Sequence, residues 1–129
     1  MSKIATKIIA TGLVAAILVA AATAQAAGPD PVKGGTIFTA KCSGCHTDVS
    51  GKNSIGPSLF GVYGRTAGTA PGYGYSSALK ASGLVWTGDN LTAWLTKPTA
   101  VVPGTKMGFA PPTTAGEKAD LIAYLKSKK

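Results

Sequence analysis

The sequence predicts an all-α domain: a few short helices joined by long loops. Three observations carry that prediction. Apolar residues recur at helical spacing in short windows, glycine and proline (17 and 8 of 129 residues) interrupt the stretches between them, and no segment reads as part of a sheet. In chain order, residues 33–41 form the first helix, with Ile37 and Phe38 on its apolar side. Residues 76–82 form a second, stopped by Gly83, a residue suited to a left-handed cap. Asp89 caps a third, in which Leu91, Trp94 and Leu95 share a face and Pro98 lies beyond the end. Residues 117–128 give the clearest helix, with Leu121, Ile122 and Leu125 at i, i+1 and i+4 and lysines crowding its C-terminus. A loop as long as 51–70 is unusual in a compact domain. A bound group that such loops can wrap would account for it.

The run Cys42-Ser43-Gly44-Cys45-His46 names that group. Two thiols three positions apart lie on one face of a helical turn, where both can reach the vinyl groups along one edge of a porphyrin. The imidazole of the next residue can then bind the iron, which makes the run the attachment signature of a c-type haem. A structural disulfide, a thioredoxin-like redox pair and half of a zinc site use the same letters. A structural zinc usually takes four Cys or His ligands, and the whole chain holds two cysteines and one histidine. A thioredoxin-like pair belongs near a βαβ pattern, which this sequence lacks.

The N-terminus places the domain outside the cytoplasm. Lys3 and Lys7 precede an apolar run over residues 8–22, and Ala24-Gln25-Ala26 supplies a small-x-small cleavage site. That is a secretory signal peptide over residues 1–26; the run is shorter than the roughly 18 residues of a membrane span. A single domain over residues 27–129 remains, exported to the periplasm. Retention of the segment as a membrane anchor is the alternative. Without Lys3 and Lys7 the 13 basic residues fall to 11 against 5 acidic ones, a net charge of +6. The lysines are scattered singly until Lys126, Lys128 and Lys129, so acidic partner proteins are expected and nucleic acid is not.

Scarcity selects the second axial ligand. His46 is the only histidine, and Met107 is the only methionine beyond Met1. Met107 sits in the turn-rich stretch Pro103-Gly104-Thr105-Lys106-Met107. A lone methionine often fills a gap in a core, but His/Met ligation is that of electron-carrying c cytochromes. Lys106 is a substitute ligand only under perturbed conditions such as high pH.

With these residues in place, the chain resembles the small class I cytochromes c of mitochondria and the bacterial periplasm. The resemblance runs through residues 42–46, Gly56-Pro57-Ser58-Leu59, Gly64-Arg65, Ala70-Pro71-Gly72-Tyr73, Trp86, residues 103–107 and residues 119–126. It implies the cytochrome c fold: short helices and long loops around one haem c attached through Cys42 and Cys45, with iron ligands His46 and Met107. The first and last helices would cross, Gly34 and Phe38 meeting Leu121 and Tyr124. The Pro57 carbonyl would accept the Nδ1–H of His46 and fix its tautomer. Tyr75 and Trp86 would bond a haem propionate, and Arg65, the only arginine, would lie nearby. Thr105 and Phe109 would stand beside Met107 and the exposed haem edge.

Two positions depart from the family pattern. Trp94 stands where a tyrosine is usual, so the hydroxyl that could bond the methionine sulfur is expected to be missing. Leu79 replaces a customary asparagine, which should dry the pocket and favour the ferrous form. The lysine ring is also thinner. Lys41 and Lys106 match positions at the haem edge, with Lys52 and Lys97 near it, while Thr99, Ala100, Thr113 and Thr114 stand where lysines are frequent.

The expected function is therefore a soluble, monomeric one-electron carrier and not an enzyme. It would dock briefly on respiratory or photosynthetic complexes or a periplasmic dehydrogenase through lysines such as Lys41 and Lys106. Two other functions use the same residues: a permanently bound subunit of one oxidoreductase, and a haem peroxidase or gas-binding protein with an open iron position.

Overall fold

A computed structural model describes residues 27–129, together with Gly12, so the expected signal segment lies outside the described residues. Asp30 starts α1 (Pro31–Lys41): its carboxylate accepts from the backbone N–H groups of Val32 (2.9 Å) and Lys33 (3.3 Å). Pro31 costs nothing at the first position, where an N–H would have no partner inside the helix. Ser76 caps α2 (Ser77–Ala81) by accepting from the Leu79 N–H at 3.1 Å. α3 (Gly88–Thr96) corrects the expected cap. Thr87 fills that position, its hydroxyl accepting from the Asn90 N–H at 3.2 Å, and Asp89 lies in the first turn. Both residue types can cap, and a start one residue before Asp89 turns its carboxylate into a first-turn charge at the positive end of the helix dipole.

Pro98 does more than end α3, because it opens the single turn α4 (Pro98–Val101). α5 (Ala115–Ser127) begins two residues before residue 117. A capping box explains the difference: Thr114 Oγ1 accepts from the Glu117 N–H at 3.1 Å, and the Glu117 carboxylate accepts from the Thr114 N–H at 2.8 Å. Among the described residues the only β pairing is an isolated antiparallel bridge, Thr66 with Val85.

The helices assemble around the crossing of α1 and α5, with α3 packed on α4 and α5. The crossing is close because Gly34 has no side chain. A Cβ there would lie 2.0 Å from the Asp120 carbonyl oxygen and 2.7 Å from Tyr124 Cβ. Phe38 packs on Tyr124 with ring centroids 5.6 Å apart, and Phe38, Leu121 and Leu125 are buried. The Asp30 N–H donates to the Asp120 carboxylate at 2.7 Å, so the start of α1 is bonded to the middle of α5.

The loops hold one another through specific bonds. Asn53 accepts from the Ser58 N–H (2.9 Å) and donates to the Pro71 carbonyl (3.1 Å). Tyr73 OH donates to the Ile55 carbonyl at 2.9 Å. The stretch after Tyr63 is tied to the approach to α3: Gly64 N–H donates to Trp86 O (2.8 Å), Trp86 N–H to Arg65 O (2.9 Å) and Ala67 N–H to Leu84 O (2.7 Å). Each buried backbone group has to find such a partner where no helix supplies one.

Two outcomes test this arrangement. Gly34→Ala meets backbone that cannot move aside, so overpacking should destabilise the protein by about 3 kcal/mol, read as a lowered urea midpoint. Glu117 is held below its ordinary value of 4.5, first by the Thr114 N–H and then by Lys41. A lowered carboxylate contributes stability above its unfolded value and loses it as the pH falls through its folded value. Glu117→Gln should flatten the acid limb of a stability titration run downward from about pH 6.

Candidate cofactor site

α1 delivers the thiols. Its last carbonyls bend the chain into a turn: the N–H groups of Cys42 and Ser43 both donate to Phe38 O, at 2.8 and 2.9 Å. Cys45 and His46 then donate to Cys42 O at 3.1 and 2.9 Å, which places the three functional side chains on one hydrogen-bonded turn. The two cysteines form no disulfide with each other, Cys45 being exposed and Cys42 half-buried. Before attachment, burial holds the Cys42 thiol above its ordinary value, with Lys41 opposing that rise.

His46 is fixed from two sides. Its Nδ1 lies 2.8 Å from the Pro57 carbonyl oxygen. A carbonyl only accepts, so Nδ1 carries the proton and Nε2 keeps a free lone pair for a metal. Burial depresses the imidazole pKa, and the Pro57 bond opposes this more weakly. Gly56 presses on the same ring: a Cβ there would lie 2.4 Å from His46 Cε1 and 2.6 Å from Nδ1. The Gly56 N–H also donates to Cys45 O at 2.7 Å, which locks loop to turn.

Met107 is half-buried and held by α3. The Trp94 indole Nε1–H donates to its sulfur at 3.2 Å. This overturns the expectation that the sulfur loses its hydrogen-bond partner where tyrosine gives way to tryptophan. The longer indole carries its own N–H to the sulfur, and Trp94 is 7% exposed.

One cavity of about 600 Å³ unites these groups. His46, both cysteines and Met107 line it, with a wall of Leu59, Val62, Leu79, Leu91, Leu95, Leu121 and Leu125. Arg65, Tyr75, Trp86, Trp94 and Thr105 reach it as well, while Lys41, Ile55, Lys106 and Phe109 form its exposed rim. Pro57 contributes to the lining beside its bond to His46. Burial raises the Tyr75 phenol, which therefore stays protonated and able to donate. Arg65 gives one N–H to the Phe60 carbonyl at 3.1 Å, but its Nε is buried with no partner among the described residues. A buried cationic donor without an acceptor fits a group that brings an anion, such as a haem carboxylate. The apolar wall fits the macrocycle, and the thiol pair beside an imidazole fits its attachment.

Residues 31–129 match the cytochrome c family, which is most of the chain. The chain belongs to the cytochrome c family. It is 49% identical over 100 residues to cytochrome c2 of Rhodopila globiformis, covering 78% of this chain and 94% of that protein. It is 45% identical over 100 residues to cytochrome c of Euglena viridis, covering 78% of this chain and 98% of that one. The solved structure of cytochrome cH from Methylobacterium extorquens superposes with a TM-score of 0.70 at 45% identity, over 77% of this chain and 99% of that one. The cofactor of this cytochrome is accordingly haem c, covalently attached through Cys42 and Cys45, and its function is electron carriage, not catalysis.

The structure adds roles that the sequence did not assign. Gly56, marked only as part of the family resemblance, presses on the His46 ring. Asp48, two residues after His46, accepts from Tyr124 OH and lies 3.1 Å from the Lys128 ammonium. These contacts lower the Asp48 carboxyl, Tyr124 ahead of Lys128, and tie the loop after His46 to the end of α5. The lysine rim also differs from a ring of free charges. Lys41 donates to the Pro112 carbonyl at 2.7 Å and pairs with Glu117 at 3.3 Å, and Lys106 donates to the Gly74 carbonyl. Gly56→Ala should displace the imidazole and lower the urea midpoint of the haem absorbance, at a cost of about 2 kcal/mol.

Proposed function

We propose that this cytochrome carries single electrons between redox proteins in the periplasm, with His46 and Met107 as the axial ligands of its iron. The carrying observation is that both line one apolar cavity while the second bonding position of each is already taken: His46 Nδ1–H by the Pro57 carbonyl, and the Met107 sulfur by the Trp94 N–H. Bound haem supplies the chemistry, its iron cycling between ferric and ferrous as one electron arrives from a donor and leaves to an acceptor. The chain's part is to keep both ligands in place through that cycle, so that little has to reorganise.

The other site residues take supporting roles in this reading. Arg65, Tyr75 and Trp86 face the haem carboxylates, and the buried Arg65 Nε without a partner supports that role. Leu79, buried at 6% exposure, keeps the pocket dry, which favours the neutral ferrous core over the charged ferric one. Thr105 stands beside Met107, and Phe109 covers the haem edge at the rim.

Partners dock at that rim. Lys41 and Lys106 supply positive charge there; Glu117 offsets that of Lys41, Lys106 keeps its charge beside the Gly74 carbonyl, and with so few lysines at the rim steering toward acidic surfaces is weak. Residues 1–26, read as a cleaved signal peptide, place the monomeric carrier in the periplasm.

The far-red spectrum of the ferric protein at neutral pH tests the ligand set. The weak methionine–iron band should be present in the wild type and absent from Met107→Ala, which should also bind cyanide readily. A folded, haem-loaded wild type without the band would have an open or differently ligated iron, and the carrier reading would fail. Electron transfer to an acidic partner should slow with added salt, with a shallow dependence because few lysines stand at the rim and Glu117 offsets one of them.

A further inference from the structure

Trp94 has one polar atom, and it is spent on Met107. A second tryptophan packs against its ring. Trp86 and Trp94 are each 7% exposed, and their rings meet edge to face with centroids 4.9 Å apart and planes inclined by 76°. That is the arrangement the ring quadrupoles favour. Trp86 is anchored through its backbone on both sides, its carbonyl accepting from the Gly64 N–H and its N–H donating to Arg65 O. The pair therefore runs from the backbone of the arginine loop to the sulfur of the methionine.

Turning Trp94 about its ring axis would swing the N–H off the sulfur into a pocket walled by leucines. An indole N–H without an acceptor is disfavoured there. Trp86, packed at a steep angle against the Trp94 ring, stands in the way of that rotation.

The geometry points to Trp86 as a positioning residue for the methionine ligand: by fixing the plane of Trp94 it holds the indole N–H on the Met107 sulfur. This inference rests on Met107 being an axial ligand. The N–H draws electron density from the thioether, making it a poorer donor to ferric iron, which depends on donation more than ferrous iron does. The bond thus favours the reduced state, one electron being gained at iron while the indole keeps its proton. Hydrogen bonding to an axial ligand is a recognised lever on haem potential.

A double-mutant cycle read by equilibrium redox titration of the haem-loaded protein tests the inference. Trp94→Phe keeps a ring for the edge-to-face contact and removes the donor. It should lower the ferrous-to-ferric ratio at fixed potential about fivefold, about 40 mV at 59 mV per tenfold for one electron. Trp86→Leu should lower the ratio in the wild-type background, and its shift should shrink about twofold or more in the Trp94→Phe background, where no donor remains to be misplaced. Equal Trp86→Leu shifts in both backgrounds would overturn the inference, as would no shift from Trp94→Phe. The far-red band separates this failure from that of the ligand assignment. With the band present in the wild type and the shifts additive, only the role of Trp86 falls; with the band absent, both fall. If Trp86→Leu does not load haem, Trp86→Phe should move the Trp94 indole N–H resonance of the ferrous protein, and an unmoved resonance would count against the coupling.

Discussion

The contact of Gly34 with the Asp120 carbonyl is the constraint from which the rest of this structure is built. It lets α1 and α5 cross at backbone distance, and everything near the haem motif is then referred to α5. The start of α1 is bonded to Asp120, its last lysine is paired with Glu117, and the loop after His46 reaches Tyr124 and Lys128. The turn that carries the two thiols and the imidazole leaves the end of α1. The crossing sets where the turn begins, and its own bonds to Cys42 O together with the Gly56 and Pro57 contacts set how its side chains point.

A chain of this size cannot build a separate core and a separate pocket. Val62, Leu79, Trp86, Leu91, Trp94, Leu95, Leu121 and Leu125 belong to the packed core and also line the cavity. The protein is folded around its cofactor site, and stability and redox environment share the same side chains. Any change to the wall therefore acts on both. Long loops are compatible with this plan because their polar groups bond one another, as Asn53, Ser58, Tyr73 and the pairing of residues 64–67 with 84–86 show.

The rim shows how surface lysines can also serve the fold. A formal charge of +8 describes the whole chain. At the cavity mouth, Lys41 is drawn back by Glu117 and the Pro112 carbonyl, and Lys106 by Gly74. These bonds pin the strap that follows Met107 to α1 at Pro112, and Lys106, just before it, to the loop near Tyr75, so the same ammoniums serve the fold and the surface.

The five adjacent residues 42–46 were enough to name the cofactor, because thioether attachment and iron ligation need a fixed local spacing. The four longer helical windows were legible for the same reason: periodicity, capping residues and glycine stops act within a few positions. Where the reading slipped, the competition was local as well, Thr87 taking the cap from Asp89 and Thr114 with Glu117 lengthening α5. The partners of the functional groups belong to a different class. Trp94 acts on a sulfur 13 positions away, the Pro57 carbonyl on an imidazole 11 away, and Tyr124 on a carboxylate 76 away. Only for Pro57 did family resemblance stand in for a pattern. At Trp94 the same resemblance misled, since replacing a tyrosine read as the loss of a donor. Where the haem is attached is written in residue type and short spacing; which groups hold the site's side chains in place depends on side-chain reach across the folded chain, and that was settled by packing alone.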